Sequence, residues 1–434
     1  MTGSRWSYVL GVLAVLLALV TSPLFLESGR PPERYYFGTL QTDPSRARLE
    51  RETGIEVVHM PIFWDRFEPV DGEYDSQYLA ELKERLRTFK EAGVRIEAGL
   101  GVNHPPRWLM DRHPQDTYVD QSGERDVDNA NVVFSQDVRA EVEQYVQRLA
   151  EDIGLDNFWA IRIGVNEAGE LTYPPPSSAA DGARASYWAF DRNAQASGAD
   201  HDRPATIPPN PFPGWRPGER TYREASFAQR QVAQWYDWYL VALGDAVNWQ
   251  IEHYGSLGYR GLLKVLIPGA GLYPRDRTAA IRGYLDEPVS TNLTGRGAAF
   301  FTTIGHVQPR RNVQIVSTAL VDGSGIPANN ACRREDAGIR IDSDGDDAEV
   351  RTWSSVRWVS RIAAHHGFPI GGESAGPQVA AYYPGVMDDA ERQMKTCGLR
   401  GLMWAFDRNL YDGTPGSSLQ EYAAVIDRSR REES

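Results

Sequence analysis

Cysteine is almost missing from this chain: Cys332 and Cys397 are the only two in 434 residues. A dense disulfide framework is excluded, and at most one cross-link can form, in an oxidising compartment. Basic residues are the scarcer sign, 46 Lys and Arg against 59 Asp and Glu, for a net charge of -13. A phosphate backbone wants the opposite balance, so nucleic acid is excluded as a partner. Neither a glycine-rich phosphate loop nor a His-Glu-x-x-His helix occurs, which removes nucleotide and zinc-protease readings in their common forms. Long apolar runs are absent save one, Tyr8 to Leu26, set between Arg5 and Glu27. Its 19 residues approach the ~20 that span a bilayer and exceed the usual signal-peptide core. Residues 1–30 are therefore expected to be a signal peptide or transmembrane anchor. The anchor is favoured because no clean small-x-small site follows, and it would be the chain's one contact with a membrane. Residues 31–434 then form an extracytoplasmic domain.

What the chain does have is aromatic residues, 12 Trp and 20 Tyr, and a repeat of short apolar runs. Eight follow one another: Tyr35 to Leu40, Val57 to Phe63, Val94 to Leu100, Phe158 to Val165, Leu262 to Ile267, Val313 to Thr318, Phe368 to Ile370 and Leu399 to Ala405. Helical periodicity lies between most of them, as in Leu79, Leu82, Leu86 and Phe89, or Val138, Val142, Tyr145, Val146 and Leu149. Strand and helix alternating to eight is an α/β fold of the (β/α)8 barrel class. Two connections are long. The one from Leu171 to about Tyr222 is broken by nine prolines and is expected to wall a cleft, with Tyr173, Trp188 and Trp215 as candidate sugar platforms. The other, Leu320 to about Trp353, carries Asp342, Asp344, Asp346, Asp347 and Glu349; it lacks the Gly and Glu of a calcium-binding EF-hand loop and reads as a solvated acidic loop. Asn292-Leu293-Thr294 has the form of a glycosylation acceptor.

Two glutamates stand where chemistry would be placed. Glu167 follows the fourth run and Glu373 the seventh, and in a parallel barrel all strands end on one face. Paired carboxylates there suit cleavage of a glycosidic bond, one giving a proton and the other acting as nucleophile or water-activating base. Asn103 and His104 end the third run, Trp404 ends the eighth and Asp407 follows it. His104 is expected to donate to sugar or carboxylate rather than to bind metal, because no second His or Cys stands near it at ligand spacing.

Asn166-Glu167 with a glutamate at the seventh strand resembles the clan A glycoside hydrolases. Phe63-Trp64-Asp65-Arg66-Phe67-Glu68-Pro69, Gly72-Glu73-Tyr74-Asp75 and Pro105-Pro106-Arg107-Trp108-Leu109 resemble segments of the family 42 β-galactosidases. Ala168-Gly169-Glu170-Leu171-Thr172-Tyr173-Pro174 resembles the family 14 β-amylases, whose acid glutamate lies in a motif of this form. The two likenesses imply different acids. The clan A pattern implies Glu167, with Asn166 on the sugar 2-hydroxyl, and retention. The β-amylase pattern implies Glu170, reachable only if an Ala168-Gly169 turn swings it back to the rim, and inversion. Strand-end geometry favours Glu167. Resemblance further implies Trp404 as a sugar floor, and Trp64, Arg66, Asn103, His104, Tyr173 and Asp407 are the remaining candidates about the substrate. The expectation is a glycoside hydrolase acting on a carbohydrate, with no cofactor and no metal. A non-catalytic carbohydrate-binding barrel is the rival.

Overall fold

The computed structural model describes residues 34–176, 185–197, 201–286, 292–376 and 382–433. Eight parallel strands close into a barrel: β1 Tyr36–Thr39, β2 Val57–Pro61, β3 Arg95–Gly99, β4 Ala160–Ile163, β5 Leu262–Ile267, β6 Val313–Leu320, β7 Ile370–Ser374 and β8 Gly401–Trp404. Each pairs with its neighbours in sequence, and β8 closes on β1. A helix follows every strand: α1 Ala47–Glu52, α2 Ser76–Ala92, α3 Gln136–Ile153, α4 Gln229–Ser256, α5 Pro274–Arg282, α6 Ser355–His365, α7 Val386–Thr396 and α8 Leu419–Glu433. This is the (β/α)8 barrel that the eight apolar runs predict.

Local rules place these elements. Asp75 caps α2 by accepting from Gln77 N and Tyr78 N, and Gly93 ends that helix at φ 72°. The expected apolar periodicity faces inward: Leu82, Leu86 and Phe89 on α2 and Val138, Val142, Tyr145, Val146 and Leu149 on α3 are buried. Strand β7 departs from its sequence reading. It runs from Ile370 to Ser374 rather than Phe368 to Ile370, so Glu373 lies within the strand. Gly371 and Gly372 do not bend the chain there. They clear room for neighbours, since a Cβ would lie 2.6 Å from the Tyr36 hydroxyl at Gly371 and 2.7 Å from Leu399 Cδ1 at Gly372.

The long connection after β4 contains, among its described residues, a one-turn helix, Arg192–Gln195, and a hairpin, Thr221–Tyr222 with Ala225–Ser226. Its aromatics form a core of their own. Tyr173 stacks on Tyr239 of α4 with centroids 4.0 Å apart, and Trp215 packs against Phe227 and Trp235. Tyr173, Trp188 and Trp215 are completely buried, so they fasten the insertion to α4 instead of offering faces to a sugar. Burying each is worth about 2–3 kcal/mol.

Cys332, in the connection after β6, is bonded to Cys397, just past α7, with the Cα atoms 4.9 Å apart. In that connection Asp347 pairs with Arg351 and accepts from Arg275 N, while Asp344 accepts from Thr278. Asn292 and Thr294 are both buried, Asn292 only 4% exposed, so the folded chain does not present this glycosylation motif. No helix among the described residues is long and apolar enough to cross a membrane. The expected signal or anchor lies outside the described residues.

Candidate active site

A cavity of about 790 Å³ opens at the C-terminal ends of the strands. Glu167, Glu170 and Glu373 all line it, with His59, Phe63, Asn103, His104, Arg162, Thr318, Asp322 and Phe406. How Glu170 reaches it depends on the chain after β4. Val165 N and Asn166 N both donate to Glu170 O, and Leu171 N donates to Leu266 O of β5, so the chain beyond β4 loops out after Val165 and comes back to it at Glu170. Residues 166–169 form a loop at the cavity rim, where Glu167, Ala168 and Gly169 line the opening. Asn166 closes it from inside: its Oδ1 accepts from Ala168 N at 3.0 Å and Glu170 N at 2.7 Å, and its Nδ2 donates to Thr172 at 2.7 Å. Gly169 turns at φ 73°, and Gly164 packs so closely beneath that a Cβ would lie 2.0 Å from Gly169 O. The Ala168-Gly169 turn therefore carries Glu170 back to the rim.

The two candidate acids have different surroundings. The Glu167 side chain is 44% exposed and lies 3.5 Å from Arg296, while Asn103 Nδ2 donates to its backbone carbonyl at 2.8 Å. The Glu170 carboxyl is deep. It accepts from the Thr318 hydroxyl at 2.9 Å and lies 3.5 Å from Asn166 Nδ2. Burial raises its pKa above the ordinary carboxylate value, against the opposing pull of these hydrogen bonds and of Arg162 and Arg296.

Glu373 points into the barrel, 8% exposed. Burial pushes its pKa up to about 7; the charges of Glu97 and Glu170 push the same way, and Arg162 resists. The Arg162 guanidinium bridges two carboxylates, Nη2 to Glu373 Oε2 at 3.0 Å and Nη1 to Glu97 Oε1 at 3.2 Å. Beneath it Lys264 of β5 pairs with Glu97. Burial alone would raise Glu97, yet Lys264 and Arg162 hold it below its ordinary value. His59 of β2 is neutral, pushed down to about 3 by burial and by Arg162. Arg162, Glu97, Lys264 and His59 escape a sequence reading that seeks residues after strands, because they lie inside them. Their signal is a charge or imidazole within an otherwise apolar run.

Of the substrate-binding candidates, Asn103 and His104 line the cavity. His104, its pKa lowered by burial, meets Phe63 edge-on at 4.9 Å. The remainder are not brought to it. Asn166 is spent on the loop beside it. Trp64 stacks on Tyr145 of α3 at 4.7 Å. Arg66, on the outer side of a short helix, pairs with Glu81 of α2. Tyr173 belongs to the insertion's core. Trp404 is completely buried, donates to Ser417 at 2.9 Å and packs on Tyr422 of α8. Alternation along β8 explains this: Met403 and Ala405 face the barrel interior, so Trp404 faces the helices. Phe406, two residues on, does line the cavity, as Phe63 does. Asp407 sits behind, accepting from Asp43 N and Arg46 and meeting Glu50. No described residue of the connection from Leu171 to Tyr222, expected to wall the cleft, lines the cavity; residues 167–170, just before it, do.

Two further groups can be set aside. Gly372 to Gly376 has the Gly-x-Ser-x-Gly spacing of a nucleophile elbow, but Ser374 is buried within β7 and accepts from Ala405 N, so no strand-to-helix elbow forms there. His113, Asp116 and Asp137 converge outside the cavity, where His113 already meets Glu141 at 3.2 Å and Asp116 at 3.6 Å.

Comparison with known proteins agrees with this architecture. The glycoside hydrolase family 42 (β-galactosidase) profile matches residues 33–160. β-Galactosidase BgaA of Clostridium cellulovorans is 36% identical over 80 residues, which is 18% of this chain and 12% of that protein. The chain thus aligns with about an eighth of that relative's length. Among solved structures, the catalytic domain of β-amylase from Paenibacillus polymyxa superposes with a TM-score of 0.54 at 15% identity, covering 92% of this chain and all of that one. β-Galactosidase from the psychrophilic Marinomonas ef1 also gives 0.54, at 14% identity over 91% of this chain and 59% of that one. The chain resembles the family 42 β-galactosidases and shares its barrel with both enzymes.

Proposed function

We propose that this barrel is a glycoside hydrolase in which Glu170 is the general acid and Glu373 the general base that activates water. The observation that carries the reading is the placement of both carboxyls on one cavity, Glu373 buried and Glu170 half-buried beside it. Burial raises the Glu170 carboxyl above its ordinary value, against the hydrogen bonds from Thr318 and Asn166, and a raised carboxyl is what giving a proton to a leaving oxygen needs. Glu373 has a guanidinium donating to it, which favours its ionised form. A pKa about 7 is what a base working near neutrality needs. Water attack assisted by Glu373 inverts the anomeric centre. Phe406 at the mouth offers an aromatic face to a sugar ring, and Asn103 and His104 offer polar groups beside it. The family 42 resemblance makes β-galactosides the first substrates to try, and export through the N-terminal segment completes the proposal, in keeping with the disulfide.

A second reading retains one observation: Glu167 also lines the cavity. With Glu167 as acid, Glu373 would be a nucleophile and the product would keep its configuration.

The test is sugar release from a panel of aryl glycosides and oligosaccharides, with the first-formed anomer followed by proton NMR. Inversion, lost in Glu373→Gln, supports the proposal, and retention supports the second reading. Glycan binding without any release would make the protein a carbohydrate-binding barrel.

A further inference from the structure

The charged groups inside the barrel form one ladder across four strands, up to the rim of the cavity. Lys264 (β5) pairs with Glu97 (β3), Glu97 with Arg162 (β4) at 3.2 Å, and Arg162 with Glu373 (β7) at 3.0 Å. Two cations and two anions alternate, so the set is neutral overall. The lower pair is out of substrate's reach. Glu97 and Lys264 are almost wholly buried, and neither lines the cavity. Lys264 is fixed from below as well, its Nζ 4.5 Å from the Tyr36 ring centre and 4.7 Å from that of Trp159. Charges are costly inside a barrel that Val, Ile and Leu could fill, and a buried ion pair is a poor source of stability. Glycosidic chemistry at the rim requires at most the last member.

We propose that Glu97 is a positioning residue: by taking one arm of the Arg162 guanidinium, it limits how strongly Arg162 holds the Glu373 carboxylate. This deepens the proposed function and rests on Glu373 acting as the base. Arg162 has two forks and gives one to each carboxylate. If it faced Glu373 alone, the guanidinium would hold that carboxylate as a fixed anion, too weak a base for water. Glu97 competes for the cation and adds its own negative charge to the surroundings of Glu373. Lys264 keeps Glu97 ionised so that the competition persists. The groups acting on Glu373 are thus Arg162 from β4, Glu97 from β3 and Glu170 from the loop after β4. Those acting on Glu97 are Lys264, Arg162 and His59. Substituting Glu97 removes a repulsion and frees a cation, and both changes favour the ionised form of Glu373.

The test is the Glu97→Gln variant, read by the pH dependence of kcat/KM and by the carbon-13 titration of the Glu373 carboxyl, assigned from the signal that Glu373→Gln removes. We expect the acid limb and the NMR midpoint to fall together by about one to three pH units, with kcat at neutral pH reduced. An unchanged midpoint beside a uniform loss of activity would overturn the proposal and leave Glu97 a packing residue. Because Glu97→Gln strands Lys264, the neutral pair Glu97→Gln with Lys264→Met is the second variant, and it should show the same fall if the single variant does not fold. Glu97→Asp, which keeps the charge, should restore the midpoint. The NMR reading needs no substrate, so the ladder can fail while hydrolysis stands. If Glu373→Gln leaves hydrolysis intact, the proposed function fails whatever the titration shows.

Discussion

Arg162 Nη2 lies 3.0 Å from Glu373 Oε2 inside the barrel, where burial and the guanidinium act on the carboxyl in opposite directions and burial prevails. As a base, Glu373 must be ionised, and its pKa is raised to about 7. The rate should therefore fall as pH drops through neutrality, where a carboxylate at its ordinary value would stay active to about pH 5. A profile of kcat/KM from pH 4 to 9 checks this. Half-maximal activity near pH 7, with a tenfold loss per unit below, is the expected form.

The position of Glu170 depends on the loop packed over Gly164. Its α-carbon has no room for a methyl group, which would lie 2.0 Å from Gly169 O and 2.4 Å from Glu170 N. Gly164→Ala should displace Glu170 while leaving the barrel folded. A misplacement of this kind costs about 100-fold in kcat. Steady-state kinetics beside far-ultraviolet circular dichroism would separate the lost activity from lost structure.

Glu50 on α1 is buried against Asp407, and burial pushes its pKa from 4.5 up to about 9, with Asp407 adding to the rise. Between those values the folded chain keeps a proton that the unfolded chain releases, so stability is lost as pH rises. Glu50→Gln mimics the protonated form and escapes that loss. Thermal melts should show the variant gaining on the parent from about pH 5 to pH 9, by more than ~5 °C at the alkaline end.

The Cys332–Cys397 bond closes 65 residues of sequence, a loop whose restraint of the unfolded chain is worth ~4 kcal/mol. Cys332→Ser should lower the denaturation midpoint by a corresponding amount, and reductant should do the same to the parent but not to the variant.

The barrel was legible because each strand is a short apolar run and each helix repeats an inward face, patterns that survive without tertiary knowledge. The place of Glu373 at the cavity was legible for the same reason, since it follows such a run. Trp404 was misplaced because alternation along a four-residue strand decides which side a ring takes, and a shift of one residue exchanges helix layer for mouth. Glu170 could be weighed against Glu167 but not chosen. Its place depends on hydrogen bonds from Val165 and Asn166 to its own carbonyl, which local sequence does not reveal. Arg162, Glu97 and Lys264 were hidden because charges inside strands normally read as solvent-facing. Only closure of the barrel turns them toward one another.

The most direct test of the account compares Glu170→Gln with Glu167→Gln on aryl glycosides whose leaving groups range from good to poor. An enzyme without its acid fails on poor leaving groups and persists on good ones, which need no proton. The account predicts that Glu170→Gln loses at least ~100-fold on poor leaving groups and little on the best, while Glu167→Gln stays near the parent throughout. The same leaving-group pattern in Glu167→Gln, with Glu170→Gln unaffected, would contradict it.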